Sequence, residues 1–384
     1  MQDRKLPYNT LPKLPPSAAL ETPRVLKKWG LARSAMAELK VAGRTIPDPN
    51  VLITNIPLLE AKDSSEIENI VTTNDALFRE AALPSEDGDP GAKEGFRYRK
   101  ALYHGIEAIK KRPLSSRIAI DICQIITGID LDVRSIPATL TNKHTGDDIY
   151  TPPQGETILL DLLSNWDTFT NEGADDLDPL IRMAVLHYQF EAIHPFTGGN
   201  GRTGRILNVL YLIQAGLLEL PTLSLSRYIL KTRADYYLAL ERVTTHDAWE
   251  TWLIYMLTAI EESSKWTTKK IGAISNLHHE TNTYVGSQLP KIHSRELVDL
   301  VMAQPYCRIT DVVDRRIAKR QAASTYLQDL VRIGVLRPEK HGTHKIFLNT
   351  KYLDLLTGDT HEFEPYVPQS ANPPTIAARS RPKK

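Results

Sequence analysis

The sequence predicts a mainly α protein. Three observations lead there. Apolar residues recur at helical spacing over most of the chain, Pro- and Gly-rich turns cut that pattern into segments, and one short stretch alone before residue 290 reads as a hairpin.

Residues 1–23 carry Pro7, Pro12, Pro15, Pro16 and Pro23 and read as an extended arm laid over the surface. Pro23 suits the first position of a helix, and Val25, Leu26, Trp29, Ala32, Met36 and Leu39 follow at helical spacing. A second helix is expected from Leu58 to about Ala82, with Ile67, Ile70, Val71, Leu77 and Phe78 as its apolar face. The stretch PSEDGDPG at 84–91 reads as a turn-rich break, and a third helix is expected from Phe96 to Lys111, closed by Pro113. Thr139 to Thr141, a polar turn at 142–148, and Ile149 to Thr151 before Pro152-Pro153 give the hairpin. Helices are expected again at 157–170, 178–193, 202–215, 232–245 and 249–264. Residues 266–290 are polar, lack strong periodicity and read as a linker or connecting helix. Residues 294–356 read as helix, turn, helix, helix and two brief strands, and 357–384 as a Pro-rich, basic, disordered tail.

The 384 residues are 41% hydrophobic, enough for a real core, and their number suggests two or three domains. Lys plus Arg number 47 and Asp plus Glu 46, so the net charge of +1 excludes a global attraction to nucleic acid or an anionic membrane. Any basic patch must be local. Cys123 and Cys307, far apart, offer neither a zinc spacing nor a disulfide framework, which fits a reducing cytoplasm. The N-terminal residues hold no signal-like apolar run, and no stretch nears the roughly 20 apolar residues of a membrane span.

The most informative stretch is HPFTGGNGRTGR, residues 194–205, between two apolar segments. Gly198, Gly199 and Gly201 allow close approach of the backbone to a ligand, and a helix start favours an anion. Arg202 and Arg205, three apart, share one face, and two guanidinium groups beside such a loop suit a polyphosphate. Asn200 adds a donor. His194, at the other end, is placed to take a proton from an attacking hydroxyl. A plain helix–loop–helix turn with a surface histidine is the simpler alternative for the glycines and arginines alone.

The whole string resembles the signature of the Fic family, HxFx(D/E)GNGRxxR, with matches at His194, Phe196, Gly199, Asn200, Gly201, Arg202 and Arg205. The resemblance implies a helical Fic core with a small β-hairpin flap that transfers AMP from ATP to a Tyr, Thr or Ser hydroxyl of a protein. It implies His194 as the general base and Thr197, Gly198, Gly199, Asn200, Gly201, Arg202, Thr203, Gly204 and Arg205 as the ATP-binding stretch. Phe196 is implied as its buried anchor. Where the family has Asp or Glu, which helps hold Mg²⁺ on the phosphates, this chain has Gly198. Mg²⁺ is then expected to rest mainly on the phosphates themselves, with no protein ligand assigned.

Three further stretches resemble family features. SSEIENI at 64–70 resembles the inhibitory motif (S/T)xxxE(G/N) as Ser64, Glu68 and Asn69, with Glu68 implied to pair with Arg205; an ordinary solvated helix face is the alternative. Ile149, Tyr150 and Thr151 resemble the flap that registers a target segment by strand pairing. Tyr236 and Tyr237 resemble a pair near the adenine and ribose; adjacent helical positions diverge, so at most one is expected to stack. His187 and His246 read as structural.

The C-terminal stretch resembles a winged helix. Ile309 to Val313 starts the second helix, Lys319 to Ile333 is the recognition helix, and Lys345, Ile346 and Phe347 lie in the wing. Arg315, Arg316, Lys319, Arg320, Arg332, Lys340 and Lys345 make it locally basic, and both DNA binding and protein docking or dimerisation fit it. The expected organisation is an arm at 1–23, an N-terminal helical region with the inhibitory motif at 24–95, a catalytic core at 96–265, a linker at 266–290, the winged helix at 291–356 and the tail at 357–384. The resemblance also implies a protein target, AMP transfer onto the protein itself, and a homodimer. The rival reading is a DNA-binding regulator whose weakly active core senses a nucleotide, or a related enzyme that transfers or removes another phosphate-linked group.

Overall fold

The computed structural model describes residues 4–45, 49–84, 87–141, 146–172, 177–341 and 344–367. The chain divides into two compact units, Met1–Gly272 and Ala273–Lys384. It is mainly helical, with one two-stranded and one three-stranded antiparallel sheet among the described residues. No helix there is long and apolar enough to cross a membrane.

In the first unit the chain runs through α1 (Pro23–Thr45), α2 (Pro49–Ile67), α3 (Asn74–Ala82), α4 (Pro90–Ile109) and α5 (Ser116–Thr127). A short hairpin follows, β1 (Leu140–Thr141) and β2 (Asp148–Tyr150), then α6 (Glu156–Asn171), α7 (Pro179–Ile193), α8 (Asn200–Gln214), α9 (Leu225–Lys231) and α10 (Arg233–His246). Every residue of α7 except Pro179 and Glu191 is buried, so this helix is covered on all sides and α1, α6 and α8 pack around it. Trp166 and Trp252 each donate an indole N–H to a carbonyl of α7, at Leu186 (3.0 Å) and Ala184 (2.8 Å). Asp178 caps α7 through the N–H of Leu180, with Pro179 as its first residue.

The proline-rich arm packs as expected along the surface, and it is anchored there. Leu11, Leu14 and Leu20 are buried. Asn165 bonds both the N–H (2.7 Å) and the carbonyl (2.9 Å) of Leu14, and Gln189 donates to the Pro12 carbonyl.

Helix α11 (Trp249–Gln288) crosses the division between the units. The second unit continues with α12 (Arg295–Ala303), β3 (Tyr306–Cys307), α13 (Ile309–Asp314), α14 (Arg320–Arg332), β4 (Arg337–His341), β5 (His344–Leu348) and α15 (Thr350–Thr357). Its sheet has the order β3-β5-β4. Asn349 binds it together. Its N–H reaches the Pro305 carbonyl, its amide nitrogen the Val301 carbonyl, and its oxygen caps α15 at Tyr352.

Several expectations are corrected. The single helix from Leu58 to Ala82 is two: Asn69 turns left-handed (φ 64°) after α2, and Thr73 caps α3 through Ala76. The break at 84–91 ends as a helix start, with Asp89 the cap and Pro90 the first residue of α4. Helices α5 and α9 were not anticipated. The linker at 266–290 is helix α11 up to Gln288. The tail is not unstructured from 357: Tyr366 stacks on Tyr284 at 4.8 Å, and its N–H donates to Glu280. Residues 368–384 lie outside the described residues, as does the 142–145 part of the hairpin turn.

Trp252 is fully buried and stacks on both His187 and Tyr255. Trp252→Ala is therefore expected to destabilise the first unit by about 3–5 kcal/mol, read from denaturant unfolding.

Candidate functional site

The signature loop joins the fully covered helix α7 to α8. His194 ends α7 in the left-handed region (φ 49°, ψ 59°), its N–H still bonded to the Phe190 carbonyl. A non-glycine residue held there costs about 1–3 kcal/mol, so the surroundings must enforce it. Arg134 does so. Its side chain donates to the carbonyls of His194 (2.8 Å), Ile136 (3.1 Å) and Pro153 (2.6 Å), joining the signature loop to the base of the hairpin.

The next residues are locked by Asn200. Its carboxamide accepts from the Phe196 N–H (2.9 Å) and donates to the Phe196 carbonyl (2.8 Å), and Phe196 itself is buried. Asn200 thus closes the loop with its oxygen and one of its two carboxamide N–H groups. Gly199 starts α8 at φ 83°, where a side chain would crowd Cys123 and Thr127 at 3.1 Å. Gly201 is required by proximity, because a Cβ there would overlap the carboxylate of Glu68. A Cβ at Gly198 would meet nothing within 4 Å. There is room for the carboxylate this chain lacks.

Glu68 reaches Arg205 as expected. The Arg205 guanidinium, 1% exposed, donates to Glu68 Oε1 (2.9 Å), to the Ser64 hydroxyl (2.7 Å) and to the Ser64 carbonyl (2.9 Å). Burial alone would raise the Glu68 pKa, but the charge and hydrogen bond of Arg205 outweigh it and hold the carboxyl below its ordinary range. Arg205 is pushed the other way: burial opposes its charge, yet Glu68, Tyr236 and Glu191 lift it above its ordinary value. Asn69 supplies the left-handed turn that ends α2 and accepts a bond from Arg233 (3.1 Å). Ser64, Glu68, Asn69 and Arg205 therefore form one constellation.

The other arginine is also engaged. Arg202 pairs with Glu94 of α4, a residue that sequence reasoning missed and for which the sequence carries no signal. Glu191, also missed, did carry one, as the single acidic residue inside an apolar helix. Its Oε1 is buried without a hydrogen-bond partner, against Gly204, and burial pushes its pKa up to about 7. Arg134 gave no sequence signal either.

His194 Nδ1 is buried without a hydrogen-bond partner. Burial, and then the charge of Arg134, push its pKa down to about 4, with Glu68 pulling weakly upward. The ring is thus neutral at pH 7, the form a general base needs.

Several expected site residues lie elsewhere. Thr203 is fully buried and Gly204 faces Glu191 and Phe190, so both look inward from the cradle. Thr197 is exposed. Tyr236 is a core residue: its hydroxyl bonds His187 (2.9 Å) among Trp252, Tyr255 and Tyr237. Tyr237 is 44% exposed with Arg233 over its ring, so of the pair it alone is free to meet a ligand. In the hairpin Ile149 is 42% exposed, but Tyr150 donates to the Ala192 carbonyl and Thr151 bonds the arm, through Tyr8 N–H and the Arg4 carbonyl. Of the three, Ile149 alone is presented outward. His187 is structural, as expected. His246 lies at the end of α10, its Nδ1 2.7 Å from the Thr245 hydroxyl.

No group of three or more His, Cys, Asp or Glu side chains gathers as a metal site among the described residues. With Gly198 in the acidic position, the donor set does not fit a protein-held Mg²⁺. A cavity of about 500 Å³ lies between the arm, Tyr188 and Trp249 and contains no signature residue.

A glycine-rich helix start carrying two arginines, each paired to a carboxylate, beside a neutral histidine, has the chemistry to receive an anion and a proton. The chain contains Fic/DOC family domains. The Fic/DOC family N-terminal model matches residues 26–107, the Fic/DOC family model 117–212, and the model described as "Protein adenylyltransferase SoFic-like, C-terminal domain" 277–352. Protein adenylyltransferase fic-1 of Caenorhabditis briggsae is 37% identical over 91 residues, 24% of this chain and 17% of that protein. Protein adenylyltransferase Fic of Drosophila melanogaster is 26% identical over 204 residues, 41% of this chain and 40% of that protein. The chain thus spans well under half the length of these relatives. A Fic family protein from Desulfovibrio desulfuricans G20 shares the fold, with a TM-score of 0.56 at 16% identity over 87% of this chain and 98% of that one.

Asn200→Ala would leave a buried N–H and carbonyl of Phe196 unpaired. It is expected to cost about 2–4 kcal/mol in chemical unfolding, more than the same change at exposed Gln328.

Proposed function

We propose that the protein is an adenylyltransferase that moves AMP from ATP to a Tyr, Thr or Ser hydroxyl of a target protein and is held at rest by Glu68. The observation that carries this reading is the pairing of buried Arg205 with Glu68 beside the signature loop. Neutral His194 takes the hydroxyl proton, the hydroxyl oxygen bonds the α-phosphorus, and the bond to the bridging oxygen breaks so that pyrophosphate leaves. Loop amides and Arg202 neutralise the phosphates, and positioning supplies most of the acceleration. A γ-phosphate needs the guanidinium that Glu68 occupies, and one fork cannot serve both. Exposed Ile149, on the strand edge, supports target registration by strand pairing. The protein itself is a further acceptor, a second copy a further partner, and the cytoplasm the compartment that the two buried free thiols support.

The test uses ATP labelled at the α-phosphate. Glu68→Gly is expected to raise label on the protein at least tenfold over the parent chain, and His194→Ala in that background to abolish it. Equal labelling of parent and Glu68→Gly overturns the brake; label surviving His194→Ala overturns the base.

The pH dependence follows from the His194 pKa near 4. A base works deprotonated, and its activity falls as pH drops through the folded-state pKa. The rate of the Glu68→Gly variant at low ATP should stay nearly level from pH 8 to about 5 and fall to half only near pH 4. A midpoint at the ordinary histidine value of about 6.5 would contradict the depressed pKa.

Gly198→Asp fills open space with the missing metal-binding carboxylate. In the Glu68→Gly background it should raise labelling at low Mg²⁺ more than at saturating Mg²⁺, measured as a lower half-saturating Mg²⁺ concentration.

A further inference from the structure

We infer that the module at residues 291–351 is a winged helix that binds duplex DNA, with α14 in the major groove and the β4–β5 hairpin on the backbone. The element order α12, β3, α13, α14, β4, β5, with the sheet order β3-β5-β4, places two stacked helices ahead of a hairpin wing.

Charge distribution carries the inference. This stretch holds twelve Lys and Arg against six Asp and Glu, a net +6 within a chain of +1. Eight of its basic residues fall into two sets. Arg295, Arg308, Arg332 and Arg337 each pair with an acid on their own element. Arg315, Arg316, Lys319 and Arg320, four cations in six residues at the α13–α14 turn, are exposed and make no ion pair among the described residues. Arg316 sits in the left-handed region (φ 58°), which tightens the turn. The first N–H groups of α14 receive no side-chain cap and point the same end of the helix dipole outward.

The helix is built to present a polar face. Ala323, Leu327 and Leu330 are buried, whereas Gln321, Thr325 and Gln328, at i, i+4 and i+7, are exposed. Gln and Thr are side chains that bond base edges. On the wing, Lys340 and Lys345 are exposed and directly opposite one another in the strand register. Like charges opposite one another destabilise a hairpin, and a phosphate between them turns that cost into attraction. An acidic protein surface would satisfy the cations, but not the uncharged amide and hydroxyl row beside them.

The full chain is titrated against a short fluorescein-labelled duplex, with anisotropy followed across salt concentrations. Six cations predict a log–log salt slope of roughly −5, since each phosphate contact contributes about −0.9. The triple variant Arg315→Ala/Arg316→Ala/Lys319→Ala should weaken binding at least tenfold and flatten the slope by about 3. Gln321→Ala should leave the slope unchanged while altering preference among duplex sequences. These side chains are exposed, so circular dichroism melting and α-phosphate labelling in the Glu68→Gly background should match the parent; the result is therefore separable from that of the transfer reaction. No anisotropy change at low salt, a triple variant that binds like the parent, or capture of polyglutamate in preference to duplex overturns the inference.

Discussion

A fully buried guanidinium organises this site. Arg205 on α8 has no water to solvate it, and an unpaired charge in such a place costs several kcal/mol. Ser64 and Glu68 of the α2 end meet that demand with three hydrogen bonds. The position of α2 follows from the same requirement. Its other fastening is equally buried: Glu60 bonds the Ser226 N–H and hydroxyl of α9, and burial raises its pKa to about 7. The C-terminal half of α2, which leads into Glu68, is thus tied at two points to the framework that carries the signature loop. Gly201 belongs to the same solution, since any side chain there would displace the carboxylate.

The helical class and the signature loop were legible because they rest on local information: periodicity, glycines and the spacing of two arginines. The Glu68–Arg205 pair was legible only through resemblance, because 137 residues separate its members. What escaped were contacts whose partners share no pattern. Arg134 holds four carbonyls, and a backbone acceptor leaves no mark in a sequence. Glu94 looks like any solvated helix residue until Arg202 is placed beside it. Asn200 reads from the sequence as a donor to phosphate, and its second task, closing the loop on both polar groups of Phe196, left no signal there.

Segmentation failed where two signals overlapped. The apolar face from Leu58 to Ala82 is continuous enough to read as one helix, yet Asn69 and Thr73 end one helix and begin another. For residues 266–290 weak amphipathicity left a linker and a connecting helix both open, and propagation from the strongly apolar start of α11 carries the helix through to Gln288. The tyrosine pair shows the same limit: sequence adjacency could say that one ring would turn away, and packing against His187 and Trp252 decided that it was Tyr236.

Glu68 and Arg205 lie within the same compact unit of one chain. A carboxylate so tethered competes with a nucleotide at an effective concentration set by the fold, on the order of millimolar or above for short connections. Diluting the protein does not weaken such a competitor, and neither does raising its expression. Under the proposed reading, the resting fraction is a constant of the molecule, altered by whatever draws α2 from its seat or by nucleotide levels that rival the tether.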